Sequence, residues 1–273
     1  MKKPSPTRTA NRPKPKLGPL HGGVAPLFMV AQVPFNRDDA VKLNTPMIQI
    51  MDDSGNVGVL TMSLKELGVW DRMLAPGAKC LELGCGSGYQ LEKLYGEGRG
   101  AYFGLEPIAS EAEKARKRIA PFLAASKASP RDRVKHAPLE KVQWERASFD
   151  VVYSYHVFEH LENPLVMVDR ARLWLKPGGI LVIICPNVEG ALPRRDLSQW
   201  RQALPSHRWL PGVSTVRRIL VERGFRVLKS FTYGGHPAPR SLWQEWANRT
   251  YKWRGLGDVL SFAATPENAP RKP

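Results

Sequence analysis

The sequence predicts an α/β fold: a doubly wound, Rossmann-like sheet with helices on both of its faces. Two observations carry this. Strand-like and helix-like segments alternate for about a hundred residues after Pro76-Gly77, and the first of those strands runs into a glycine-rich turn that opens a helix. The strand-like runs are AKCLELG (78–84), AYFGLE (101–106), VKHA (134–137), FDVVYSY (149–155) and GGILVIICP (178–186). The helical stretches between them are YQLEKLYG, SEAEKARKRIAPFLAA and ENPLVMVDRARLWL. Strand, helix and strand at this spacing make parallel βαβ units, whose crossovers are right-handed. Upstream, PMIQIMDDSGNVGVLTM reads as two short strands joined by an Asp-Ser-Gly turn, and SLKELGVWDRML as a helix with Ser63 as N-cap. Downstream, residues 187–212 lack periodicity and read as a long loop with one short helix. STVRRILVERG reads as a helix capped by Ser214 and stopped by Gly224, and FRVLKSFTYGG and GDVLSFAA read as the last two strands. Between those strands, Leu242, Trp246, Arg249 and Trp253 share one helical stripe, and packing is the default reading of that stripe.

The chain has 273 residues, of which 42% are hydrophobic and 24% charged, as in an ordinary globular protein. Its longest apolar run, Ile180 to Cys185, falls far short of a membrane span. Three cysteines, none in a CxxC pair, exclude a disulfide framework or a zinc finger. The net charge of +16 is unevenly placed. Residues 1–37 hold seven bases and no acid, residues 38–190 nineteen bases and twenty acids, and residues 191–273 fifteen bases and five acids. The expected organisation is a basic, Pro-rich disordered arm (1–37), an N-terminal cap segment (38–75), a ligand-binding core (76–190), and a substrate loop, helix and final strands of the same domain (191–273). The arm lacks the apolar stretch of a secretory signal, so a cytoplasmic location is expected. An anionic surface, lipid or RNA, would suit such an arm; a solvated tail is its default reading.

Glu82-Leu83-Gly84-Cys85-Gly86-Ser87-Gly88 closes the first strand of the alternating series. Glycines there allow a tight turn and let a ligand lie against bare backbone at a helix N-terminus. The dinucleotide fingerprint GxGxxG would need glycine where Tyr89 stands, and Glu82 would repel a pyrophosphate. The next strand ends in Glu106, where the ribose of an adenosine would lie on this fold. A ligand combining an adenosine with a cationic group fits both acids: Glu106 for the ribose hydroxyls and Glu82 for an ammonium or sulfonium. S-adenosyl-L-methionine is such a ligand.

From about Pro76 to Asn187 the chain resembles the class I S-adenosylmethionine-dependent methyltransferases. PGAKCLELGCGSG, YFGLEP, FDVVYSYHVFEHLENP and LKPGGILVIICPN carry the likeness, and SHRWLPGVSTVRRILVERGF resembles the subgroup modifying small molecules, lipids or glycans. The resemblance implies a seven-stranded sheet, mostly parallel with its last strand antiparallel, and a cofactor site formed by Glu82, Gly84, Cys85, Gly86, Gly88, Glu106, Pro107, Pro138, Leu139, Ser154 and Tyr155. Many relatives carry an Asp where Pro138 aligns, so the adenine contact at Pro138 and Leu139 falls instead to a backbone carbonyl or to Glu140. Ser154, Tyr155 and His156 would lie near the methyl group.

His156-Val157-Phe158-Glu159-His160 also matches the HxxEH pattern of zinc proteases. That reading needs a helix and a third ligand downstream, and it leaves the glycine turn and Glu106 idle. It is set aside and no metal is expected: His160 is read as a packed structural residue and His156 as the candidate general base or substrate contact. Cys85 lacks a paired base and is no nucleophile. The expected function is methyl transfer from S-adenosylmethionine to a small-molecule, lipid or glycan acceptor. The alternative is an RNA-modifying or RNA-binding protein that uses the basic arm and the C-terminal third, although no RNA-binding module and no Asn-Pro-Pro-type tetrapeptide is present.

Overall fold

The computed structural model describes residues 28–29, 54–126, 128–195, 197, 200, 202, 204, 206–234, 250, 252 and 254–267. Most of the basic arm and the stripe Leu242, Trp246, Arg249 and Trp253 lie outside the described residues.

Seven strands form one sheet: β1 (Lys79–Leu83), β2 (Ala101–Glu106), β3 (Val134–His136), β4 (Phe149–Tyr155), β5 (Leu175–Pro186), β6 (Phe225–Tyr233) and β7 (Val259–Pro266). Their order is β3-β2-β1-β4-β5-β7-β6. The first five run parallel, and β7 is antiparallel to both of its neighbours. Order reverses between β1 and β4, which opens a crevice at the carboxyl ends of those strands.

Side chains alternate across the pleat and build two cores. On one face Cys80, Tyr102, Val151 and Val182 pack with Leu91 and Leu94 of α3 (Tyr89–Glu97) and Ala112 and Ile119 of α4 (Ala109–Leu123). The same face takes Leu60 and Leu64 of α1 (Ser54–Glu66) and Trp70 and Met73 of α2 (Trp70–Leu74). On the other face Leu81, Leu83, Val152 and Ile183 meet Met167, Val168 and Trp174 of α6 (Pro164–Trp174) and Val216, Ile219 and Leu220 of α8 (Val213–Glu222). Two further short helices are α5 (Pro130–Arg133) and α7 (Ala191–Arg195). Leu181 to Cys185 is buried throughout, as expected of a strand covered on both faces.

Three local expectations are corrected. Residues 56–62, read as a strand, lie in α1, because Leu60, Leu64 and Leu67 recur at helical spacing and are all buried. Ser63 therefore sits inside that helix, not at its N-cap. Ser214 lies inside α8, whose N-cap is Gly212, and its hydroxyl bonds Glu189. Gly224, with φ +74°, does end α8.

Candidate cofactor and acceptor site

The carboxyl ends of β1, β2 and β4 converge at the crevice. Gly84 and Cys85 donate their N–H groups to the Leu105 carbonyl, at 2.7 and 3.1 Å, which seats the glycine turn against the end of β2. Glu106 then pins the turn. Its Oε2 accepts from the Gly86 N–H and its Oε1 from the Ile108 N–H, both at 2.9 Å. Ala137 donates to the Glu106 carbonyl at 3.1 Å, bringing Pro138 and the buried Leu139 to the same edge. Pro107 is the residue between Glu106 and Ile108, spanned by the Oε1 bond. Arg118 of α4 braces the turn from outside, with Nε on the Ser87 carbonyl at 3.0 Å and its guanidinium over the Tyr89 ring.

A Cβ added at Gly88 would come within 2.9 Å of the Ala115 backbone, so that position is closed by helix packing. Gly86 differs. It has φ +51° and nothing within 4 Å of where a Cβ would stand. The space beside Gly86 is open.

Two acids flank this space. Glu82 is buried and its Oε2 has no hydrogen-bond partner among the described residues. Burial lifts it to about 8, with Glu106 adding to the rise and the Tyr153 hydroxyl opposing it. Burial likewise lifts Glu106 to about 7, against the two N–H groups that favour its charged form. Two desolvated carboxyls, one with an orphaned oxygen, fit a polar cationic ligand. Either carboxylate of a bidentate pair keeps lone pairs for further donors. Cys85 is held as the thiol by burial and by the nearby acids, which agrees with a packing role.

Across the β1–β4 boundary, Leu83 lies beside Ser154. Ser154 is fully buried, and the Tyr155 ring meets the His156 ring edge-on at 4.6 Å between centroids. His156 adopts φ +54°, an uncommon conformation for a residue with a side chain, and its N–H donates to the Ile184 carbonyl at 2.9 Å. Its Nδ1 lies 2.9 Å from Glu159 Oε1. Val157 packs so tightly on Gly84 that any Cβ there would overlap its Cγ2. The segment that follows His156 therefore packs directly on the glycine turn.

Glu159 is the residue whose importance the sequence understated. It is fully buried, and although burial raises its pKa, the His156 bond and the surrounding histidines outweigh that and hold it at about 2. Its second oxygen has no partner among the described residues. The segment after Ser206 docks on this turn: Arg208 donates its N–H to the Glu159 carbonyl at 2.8 Å, and Trp209 Nε1 donates to the Leu161 carbonyl at 2.8 Å. His207 is thereby buried beside Glu159, and that burial lowers it to about 4. Asn187, also unanticipated, uses Nδ2 to bond the Gly255 and Gly257 carbonyls at 3.0 and 2.7 Å, clamping the end of β5 to the loop before β7.

A β3-β2-β1-β4-β5-β7-β6 sheet with a glycine turn after β1 and an acid ending β2 defines the class I S-adenosylmethionine-dependent methyltransferases. Comparison with known proteins agrees. The methyltransferase-domain family matches residues 63–230, and the chain belongs to that family. Among curated relatives, the tRNA U34 carboxymethyltransferase of Saccharophagus degradans is 31% identical over 163 residues, 58% of this chain and 49% of that protein. The same enzyme from Hahella chejuensis is 30% identical over 217 residues, 74% of this chain and 62% of its own length. The chain thus spans about half the length of the curated relatives it matches first. Among solved structures, a SAM-dependent methyltransferase from Aquifex aeolicus superposes with a TM-score of 0.55 at 17% identity, covering 81% of this chain and 98% of that one. At that identity the likeness shows the fold alone. No helix of the described residues is long and apolar enough to cross a membrane.

Proposed function

We propose that the protein methylates a hydroxyl or amine of a small-molecule, lipid or glycan acceptor, with S-adenosylmethionine as donor. The observation that carries this reading is the His156–Glu159 pair, held next in the chain to Val157, which packs on the glycine turn. The donor's fit rests on the open face of Gly86 and the orphaned carboxylate oxygen of Glu82. Bound there, the donor supplies an electrophilic methyl on a sulfonium that leaves as a neutral thioether.

The chain's own residues then do three things. Glu82 and Glu106 hold the donor's cationic and ribose groups, and the turn's backbone shapes the cradle. Glu159 accepts from Nδ1–H of His156, which fixes the tautomer and leaves Nε2 bare. Nε2 takes the acceptor's proton as its oxygen or nitrogen forms the new bond to carbon. Positioning and exclusion of water supply most of the remaining rate.

RNA as acceptor is a second reading, favoured by the tRNA-modifying relatives and by the basic composition of both chain ends. Incubation of a cell extract with methyl-labelled donor separates the two. Label in the RNase-resistant, small or lipid-soluble fraction supports the first, and label lost with RNase supports the second. His156→Gln should cut turnover on the order of a hundredfold or more while leaving donor affinity unchanged. Undiminished turnover would remove His156 from the chemistry.

A further inference from the structure

We propose that Glu159, His160 and His207 form a binding site for a divalent transition-metal ion of the zinc type. Nothing in the cofactor site uses these three side chains together. One ligand atom from each lies within 4.8 Å of the other two, and the cluster is enclosed, with Glu159 and His207 buried and His160 half-buried. The fold builds the cluster from two distant stretches. The 3-10 turn Phe158–His160 supplies two members, and the docked segment after Ser206 supplies the third.

Three features point to a cation. Glu159 Oε1 is engaged by His156, but its Oε2 is fully buried with no partner among the described residues. A carboxylate oxygen left that way costs free energy that a bound cation would recover. Secondly, His160 Nδ1 lies 3.0 Å from the Ser206 carbonyl oxygen. A carbonyl can only accept, so that nitrogen carries the proton and Nε2 keeps a lone pair, the arrangement by which ligating histidines are oriented. Thirdly, the His160 and His207 rings stand 4.8 Å apart, close enough for one nitrogen of each to reach a common ion with Glu159.

Donors around a tetrahedral zinc-type ion, at bond lengths of about 2.1 Å, lie about 3.4 Å apart, so small side-chain rotations close the triad. Two imidazoles and one carboxylate suit zinc, cobalt, manganese or iron(II) better than calcium or magnesium. Three protein ligands leave a coordination position open, as in catalytic rather than structural sites. Because Glu159 also orients His156, the ion would stand directly behind the proposed base. This is not the zinc-protease use of HxxEH, which would ligate through His156 and His160: here Glu159 and His160 are joined by His207, forty-seven residues beyond His160, and His156 stays outside the triad.

The test is binding, independent of any methyl transfer, so its failure and that of the proposed function are distinguishable. Full-length protein is stripped with a chelator and titrated with cobalt(II), read by visible d–d absorption, then with zinc in competition. One equivalent should bind with the bands of a four- or five-coordinate ion, and zinc should displace it. His160→Ala and His207→Ala should each weaken binding at least a hundredfold, while circular dichroism and S-adenosylmethionine affinity certify the fold. Should either variant fail to fold, X-ray absorption of the zinc-loaded wild type decides, with two imidazoles expected in the first shell. Absence of stoichiometric binding, affinity unchanged in folded variants, or a shell without imidazole would overturn the site.

Discussion

Binding of S-adenosylmethionine should release protons and strengthen as pH rises through neutrality. In the ligand-free protein burial holds Glu82 near 8 and Glu106 near 7, so both carboxyls carry protons at about pH 5.5. A sulfonium or ammonium is attracted by a bare carboxylate and not by a neutral acid. Ligand binding at low pH must therefore expel those protons first, at a cost of a factor of ten per unit below the free-protein value. The sign follows: affinity is weakest at low pH, climbs with pH, and levels off once the free-protein values are passed. Between about pH 5.5 and about pH 7.5, Glu82 by itself should tighten binding about a hundredfold. Isothermal titration in two buffers of different ionisation enthalpy measures both the affinity and the protons released. Glu82→Gln, with no proton to lose, should remove most of the slope. A dissociation constant that stays flat across this range in the wild type would refute the assignment of Glu82 to the donor's charge.

Three further outcomes test the site and its scaffold. Glu106→Ala removes the acceptor of the Gly86 and Ile108 N–H groups as well as the proposed ribose contact, and should weaken donor binding about tenfold or more by calorimetry. Unchanged affinity would place the ribose elsewhere. Gly86→Val puts a branched side chain at φ +51° and into the open space, and should abolish donor binding by straining the turn and filling the cradle, while far-UV circular dichroism stays native; retained binding would show that the ligand does not use that face. Asn187→Ala leaves the half-buried Gly255 and buried Gly257 carbonyls without their donor and should cost about 2 kcal/mol in urea unfolding. An unshifted midpoint would show that the clamp contributes nothing.

The central strands were legible nearly to the residue because burial on both faces of a parallel sheet writes short apolar runs bounded by glycine, proline and charge. AYFGLE and FDVVYSY are β2 and β4 with no residue gained or lost. The glycine turn and Glu106 were legible for a similar reason: their chemistry is local, carried on one turn and one strand end. What failed was tertiary. The β-branched, glycine-containing run NVGVLTM has the propensities of a strand, but Leu60, Leu64 and Leu67 find the α3–α4 side of the sheet and make it helix. His207 sits in a stretch without periodicity, and its meaning comes from contacts with Glu159 and His160 that no local pattern encodes. Asn187 escaped notice because its partners are backbone carbonyls about seventy residues away.

The most direct measurement is a crystal structure of the full chain with S-adenosylhomocysteine. It should show the ribose hydroxyls on Glu106, the amino-acid portion along Gly84 and Gly86, and the sulfur facing His156. A nucleoside lying away from the carboxyl end of β1, with Glu82 and Glu106 still unengaged, would contradict the account.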